Sequence, residues 1–395
     1  MYKKYFEYFH DNKNIYLDSA STTQKPKVVL EAVQEYYTKY CANTHRSNFG
    51  NANRATTEFE NARSTLKSFI NAAHDEEIIF TKGVTESLNF IASSFVKDRF
   101  DTVIISSLEH HSNIVPWHMQ GRSLHQGLEV VNCDENLSFD MEHFEQLLQE
   151  NPNAFVSITH VSNAFGRINP VKNIIHIAHK YGVPVMIDGA QSLVHFNVDV
   201  QDLDVDFYAL SSHKSYGPTG VGAMYIKKEH LKDVKAYQTG GATISDVSYD
   251  RSILLDSPFK FEAGTQNIAG VIGFAQALKF IQMLEYDRII DYEAGIYEYM
   301  YEQLSEIEDI QLYTDSINCI GSLSFNVKGA MADDVGVLLD KMNVSIRYGH
   351  HCAQPIMKKL GLQGTARVSL GIYNDLHDID MLIKNLKRAL QILKG

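Results

Sequence analysis

Phe207-Tyr-Ala-Leu-Ser-Ser-His-Lys-Ser-Tyr-Gly-Pro-Thr-Gly-Val-Gly222 is an apolar run that breaks into Ser211-Ser212-His213-Lys214 and then, at once, into a glycine-rich turn. The apolar and aromatic start reads as a buried strand that the Gly-Pro-Thr-Gly segment cannot continue. A lysine at such a strand end is costly as a free cation, so its pKa should fall. A neutral amine is what condensation with an aldehyde cofactor needs. The hydroxyl and imidazole groups of Ser211 and His213 can hold an anionic phosphate. By itself Lys214 reads equally well as a solvated loop lysine. The tail Gly217–Gly222 lacks the G-x-x-x-x-G-K spacing of a nucleotide loop.

Upstream, Val185-Met-Ile-Asp-Gly-Ala-Gln191 has the same form, a buried strand opening into polar residues. Asp188 could pair with a protonated pyridine nitrogen and keep a ring an electron sink. Gln191 could hydrogen-bond the ring hydroxyl oxygen. The competing reading is an aspartate that caps the next helix. The Gly-Ala-Gln continuation, 26 residues before the lysine, favours the cofactor role.

The pattern recurs along the chain. Strands are expected at Ile78–Thr81, Thr102–Ser106, Leu128–Asn132, Phe155–Thr159, Val183–Ile187, Asp206–Leu210 and Gly222–Ile226. Helical periodicity lies between several of them, as at Met141–Gln149 and Val171–His179. This alternation predicts an α/β domain with a mostly parallel central sheet and helices on both faces. Ligands in such sheets sit at the carboxyl ends of strands. Polar clusters follow the strands here: Lys82–Glu86, Glu109–Asn113, His160–Asn163, Asp188–Gln191 and Ser211–Lys214.

After about Ala269 the pattern changes to two long helical stretches (269–285 and 287–307), strand-like segments (Ser322–Val327, Val344–Arg347, Ala366–Leu370) and a closing amphipathic helix, His377–Leu393. The expected organisation is a large domain, 14–270, and a smaller α+β domain from 271–395 with residues 1–13 packed on it. A chain of 395 residues is long enough for both.

Composition sets the limits. With 44% apolar and 21% charged residues the chain is an ordinary globular protein. A formal charge of −12 argues against a general nucleic-acid binder, which needs a basic face to replace phosphate counterions. No apolar run approaches the roughly 20 residues of a membrane span, so a cytoplasmic protein is expected. Four cysteines, at 41, 133, 319 and 352, show no CxxC spacing. Neither a disulfide framework nor a metal site is expected.

On these and further segments the chain resembles the fold-type I pyridoxal-phosphate enzymes, and within them the class V aminotransferase family that contains the cysteine desulfurases. The matching segments are Tyr16–Thr23, Phe80–Glu86, Glu109-His-His-Ser-Asn-Ile-Val-Pro-Trp117, His160-Val-Ser-Asn-Ala-Phe-Gly166, Phe261-Glu-Ala-Gly-Thr-Gln-Asn267, Arg347-Tyr-Gly-His-His-Cys-Ala-Gln-Pro355 and Ala366-Arg-Val-Ser369. The last two look like group II desulfurases of the SUF and CsdA type, a likeness that implies iron–sulfur cluster assembly as the setting.

The resemblance implies a role for each matched residue. Gly83, Val84 and Thr85 would offer a helix N-terminus to the phosphate of pyridoxal 5'-phosphate, with Ser211 and His213 completing the cup. Thr265 would reach the cofactor of a second subunit, implying a homodimer. His111 would stack on the ring and relay protons. Asn163 and Arg367 would hold the substrate carboxylate, a task suited to a guanidinium fork, and Arg347 would lie at the same mouth.

Cys352 decides the reaction that the resemblance implies. A free thiol titrates near about 8.5, and lower beside cations, which Arg347, His350 and His351 are expected to supply. Adjacent His-His-Cys seldom converge on one metal ion, and a buried inert thiol suits Cys133 and Cys319 better. The implied activity is removal of sulfur from L-cysteine as a persulfide on Cys352, with alanine released and a protein acceptor to follow. Lys214 would remove the Cα proton as general base.

A selenocysteine lyase would use nearly the same site. Other class V reactions, epimerisation or transamination with Cys352 incidental, are a second alternative, and a non-catalytic scaffold is a third. The chain departs from the group II pattern in three places. His45-Arg-Ser-Asn-Phe49 stands where His-Arg-Gly-x-His is usual, which leaves substrate or acceptor choice open. Gln266 replaces a proline, and Val84 a threonine.

Overall fold

The computed structural model describes residues 2–45, 48–120 and 127–394. Arg46 and Ser47, in the departing His45–Phe49 segment, lie outside the described residues. Seven strands form the larger sheet: β1 (Ile78–Thr81), β2 (Thr102–Ser106), β3 (Gly127–Val131), β4 (Ala154–Thr159), β5 (Val185–Asp188), β6 (Phe207–Ser211) and β7 (Gly222–Ile226). Each lies within two residues of its expected position. Their order is β1-β7-β6-β5-β4-β2-β3. Only β7 runs against its neighbours. The connection from β6 to β7 is too short for the crossover that a parallel partner requires.

β2, β4, β5, β6 and β7 are buried at every residue, as in a sheet covered on both faces. Successive side chains divide between two cores. Ile104, Val156, Ile158, Ile187, Tyr208 and Leu210 face a layer built from α1 (Lys27–Lys39), α2 (Gly50–Phe69), α4 (Met141–Glu150), α5 (Val171–Lys180) and α6 (Ile268–Met283). Val103, Ile105, Phe155, Met186 and Phe207 face the other way, onto α3 (Val84–Ile91) and Trp117.

Helix α6 is buried around most of its circumference, as a helix apolar on all sides must be. The boundary expected at residues 270 and 271 falls inside it. The cores diverge instead along α7 (Tyr286–Ser305), where Ile289 belongs to the first core and Ile296 to that of the smaller domain. Phe6 is likewise sunk in the larger core, edge-on to Tyr216, Phe280 and Tyr373.

The smaller domain is an antiparallel sheet of β8 (Ile310–Leu312), β9 (Ser322–Val327), β10 (Arg347–Gly349) and β11 (Thr365–Ser369), ordered β8-β9-β11-β10. With it pack α7, α8 (Ala332–Asp340) and α10 (Leu376–Lys394). Helix α9 (Gln354–Lys359) lies against Leu108, Ala164 and Phe165 of the larger domain. The strand expected at Val344–Arg347 is two pieces. Val344 and Ser345 pair in parallel with Ile15 and Tyr16, and the sheet strand proper begins at Arg347.

A buried ion pair ties the segment around Thr265 to the larger sheet. Arg63 donates two hydrogen bonds to Glu262, at 2.8 and 2.9 Å. Glu262 also accepts from the Phe80 N–H at 2.7 Å, and Arg63 donates to the Ile78 carbonyl. Losing one partner of such a pair costs about 3–5 kcal/mol, because the other charge is left buried alone. Among the described residues, no single helix is long and apolar enough to cross a membrane.

Candidate active site

The carboxyl ends of β1, β2, β4, β5 and β6 point the same way, and the residues that follow them enclose a cleft of about 590 Å³. Its far wall comes from Ala20 and Ser21 near the N-terminus and from Arg347, His351, Cys352 and Arg367 of the smaller domain. Of the residues singled out in the sequence, Lys214, Asp188, Gln191, Ser211, His213, Val84 and Thr85 line it from the larger domain. Asn163 joins Arg347, Arg367 and Cys352 on the opposite side. His111 and Thr265 do not line it.

Lys214 follows β6. Removal from water draws its ammonium from 10.5 down to about 8, against an opposing pull from Asp188. Asp188 ends β5. Burial raises its pKa, and among the described residues its carboxyl accepts one hydrogen bond, from the Ala190 N–H at 2.9 Å. A buried carboxylate so thinly supported suits a cationic partner. Gln191 donates to the Ala20 carbonyl at 2.9 Å, which fixes its amide beside the cleft. His213 is held neutral, with its pKa drawn down to about 4 by burial and then by Lys214 and Lys25.

The N-terminus of α3 opens onto the same space. Gly83 has φ +145°, a conformation that favours glycine. Gly222 packs directly on it, since a Cβ at 222 would fall 2.6 Å from the Gly83 Cα. This glycine contact brings the free N–H groups of the helix start to the sheet edge, where an anion is favoured. The Thr85 hydroxyl meets that of Ser112 at 2.7 Å. An anion cup at one end, Asp188 at the other and Lys214 in the same cleft fit a phosphorylated pyridine aldehyde.

His111 requires a correction. The turn after β2 is capped by His110, whose Nδ1 accepts from the Ser112 N–H at 3.0 Å. This turns the His110 ring into the cleft and His111 outward. Burial, and then Lys214, draws the His110 pKa down to about 3. The paired histidines carried no signal as to which one faced inward. Glu109, also unassigned from the sequence, is fully sequestered beneath the turn. It accepts from Ser106 Oγ at 2.6 Å, Asn113 Nδ2 at 2.7 Å and the Thr159 N–H at 2.9 Å. Burial still pushes its carboxyl up to about 7.

Arg367 is buried in β11 and donates to Asp18 Oδ1 at 2.8 Å, Ser21 Oγ at 2.9 Å and the Asn163 carbonyl at 2.7 Å. Its Nε–H has no partner among the described residues. Arg347 donates to the same Ser21 hydroxyl at 2.8 Å. A fork braced this way presents its cation at a fixed place. Asp18 and Ser21 belong to the Tyr16–Thr23 segment, where nothing in the sequence marks a role for them.

Cys352 follows β10. It and His351 both have left-handed backbones, with φ 54° and 52°, a conformation costing roughly 1–2 kcal/mol for each non-glycine residue. His351 is not the cationic neighbour expected. It is buried against Thr365, with Nε2 2.9 Å from Oγ1, and its pKa is drawn down to about 3 by burial and then by Arg367.

A desolvated lysine and a buried aspartate at adjacent strand ends of an α/β sheet form an arrangement suited to an aldehyde cofactor. The family model for class-V aminotransferases matches residues 15–382, and the chain belongs to that family, whose cofactor is pyridoxal 5'-phosphate. A probable cysteine desulfurase of Halalkalibacterium halodurans is 39% identical over 95% of this chain and 93% of its own. The apo structure of cysteine desulfurase from Thermococcus onnurineus NA1 superposes with TM-score 0.94 at 36% identity, covering 100% of this chain and 97% of that one. The crystal structure of the Escherichia coli cysteine desulfurase CsdA, an S-sulfonic acid form, gives 0.90 at 35% identity, covering 99% and 98%.

Proposed function

We propose that this chain is a pyridoxal-phosphate-dependent cysteine desulfurase that converts L-cysteine to L-alanine and leaves the sulfur as a persulfide on Cys352. The observation that carries the proposal is the meeting of Lys214 and Cys352, from different domains, in one cleft that also holds Asp188 and Arg367. When bound, the cofactor supplies an electron sink for the substrate Cα. Asp188 would hold the proton on the ring nitrogen and Gln191 would bond the ring hydroxyl oxygen. Gly83, Val84, Thr85, Ser211 and His213 would hold the phosphate, and His110 would cover the ring.

Arg367, braced by Asp18 and with its Nε–H unpartnered among the described residues, would take the substrate carboxylate beside Asn163 and Arg347. Lys214, made a usable base by desolvation, removes the Cα proton. The Cys352 thiolate attacks the substrate sulfur, forming an S–S bond as the substrate C–S bond breaks. The carbon skeleton takes up protons and leaves as alanine. Cysteine and thiol thereby give alanine and persulfide, with no external oxidant. A thiol or protein acceptor then removes the outer sulfur.

The direct test is alanine formation from L-cysteine, with and without a thiol reductant. Stoichiometric alanine, accelerated by the reductant, is expected. Turnover of selenocysteine alone would move the assignment to the lyase, and racemised or transaminated product to the other class V reactions.

The working unit is a homodimer in this reading. Thr265 is exposed and lies outside its own chain's cleft, which suits a group offered to a second copy. Mixing Lys214→Ala chains with Thr265→Ala chains should restore one sound site per mixed dimer. Activity no higher than that of the separate mutants would rule out the shared site.

A further inference from the structure

His111, displaced from the cleft, makes two contacts with the loop that carries the thiol. Its backbone N–H donates to the Cys352 carbonyl at 2.7 Å. Its Nε2 accepts from the Gln354 N–H at 3.1 Å, one of the donors that a helix start leaves without an internal partner. An Nε2 that accepts places the ring proton on Nδ1. Burial, and then the nearby His350, lowers the His111 pKa, which keeps this neutral form.

The peptide before the thiol is pinned too, because Asn163 Nδ2 donates to the His351 carbonyl at 2.7 Å. Two larger-domain residues therefore grip the backbone on either side of Cys352, across the domain boundary. What they grip is a pair of left-handed residues, which would relax toward commoner angles if released.

We propose that His111 is a positioning residue for sulfur transfer: through Gln354 and the Cys352 carbonyl it holds the thiol loop over the cleft and takes no part in the chemistry at the substrate Cα. The proposal rests on Cys352 being the sulfur acceptor. It separates His111 from His110, which faces the cleft. Only the side-chain contact is removable by substitution, so the expected loss is partial.

The test uses the holoenzyme and two readouts. Exchange of the alanine Cα proton with deuterated solvent needs no thiol, whereas alanine release from cysteine in a single turnover does. In His111→Ala, exchange should stay within about twofold of wild type while release at saturating cysteine falls about tenfold, as small misplacements of a reacting group produce. His111→Gln, whose amide oxygen can take the place of Nε2, should recover most of the loss, and the shorter His111→Asn should not. If His111→Ala folds poorly, the Gln and Asn variants decide the matter by the same difference.

Unchanged release in His111→Ala, equal release in the Gln and Asn variants, or exchange falling in parallel with release would overturn the proposal. Cys352→Ala is run alongside. If that variant still releases alanine, the failure lies with the sulfur-acceptor reading and not with His111.

Discussion

Replacing Cys352 with alanine is expected to lower alanine release from cysteine by roughly 10³-fold or more, the scale on which loss of a nucleophile is felt. Cofactor binding and exchange of the Cα proton should persist. The two steps draw on separate groups: exchange uses Lys214, Asp188 and the bound ring, and sulfur transfer uses a thiol from the other domain. No persulfide should be found on the mutant. Wild-type labelling has to be followed peptide by peptide. Cys41 is the exposed cysteine, whereas Cys133, Cys319 and Cys352 are partly buried. Burial pushes the Cys319 thiol up, so Cys352 should still react faster than Cys319. Desulfuration by Cys352→Ala at the wild-type rate would leave the proposed chemistry without its nucleophile.

Lys214→Ala should be at least as damaging, and earlier in the sequence of events. A general base is worth about 10²–10⁴-fold, and this residue is also the cofactor's attachment point, so both exchange and release should be lost. Borohydride treatment of the wild type should fix the cofactor to the peptide containing Lys214, and fixation to another lysine would displace the assignment. The desolvated amine gives a second signature in the apoprotein. Its acylation should rise with pH around a midpoint near 8, against 10.5 for an ordinary lysine. The amine is protonated and inert below that midpoint, and reactive above it. A midpoint with the exposed lysines would mean that the strand end is wetter than its packing indicates.

The strands of the larger sheet were legible because each is a short apolar run closed by polar or glycine-rich residues, and burial on both faces makes that pattern strong. The antiparallel course of β7 follows from a connection length that strand patterns do not weigh. The boundary expected near 270 falls inside α6, a core helix whose apolar character says nothing about which core it enters. In the cleft, residues at strand ends were the readable ones, since the fold itself delivers them to one edge. His110 and His111 could not be told apart in sequence, because the choice depends on one capping bond. The neutral state of His351 depends on burial against Thr365, which only the tertiary structure supplies. Asp18 and Ser21 act by bracing an arginine almost 350 positions away, at 367, and nothing local marks such a role.

That last separation bears on how the enzyme comes to life. Ile15 and Tyr16 pair with Val344 and Ser345, the Leu17 carbonyl accepts from the Ser369 N–H, and Thr23 accepts from Tyr216 while its own N–H donates to the His213 carbonyl. Segments 15–18 and 344–369, far apart in the sequence, are thus held together. Loop closure over such a span is slow. The strands of the larger sheet all fall within residues 78–226, whereas the Arg367–Asp18 contact needs two segments that flank them on either side. Until those segments meet, the lysine and the aspartate lack both the carboxylate fork and the thiol, so the site is completed by contacts between the most distant parts of the chain.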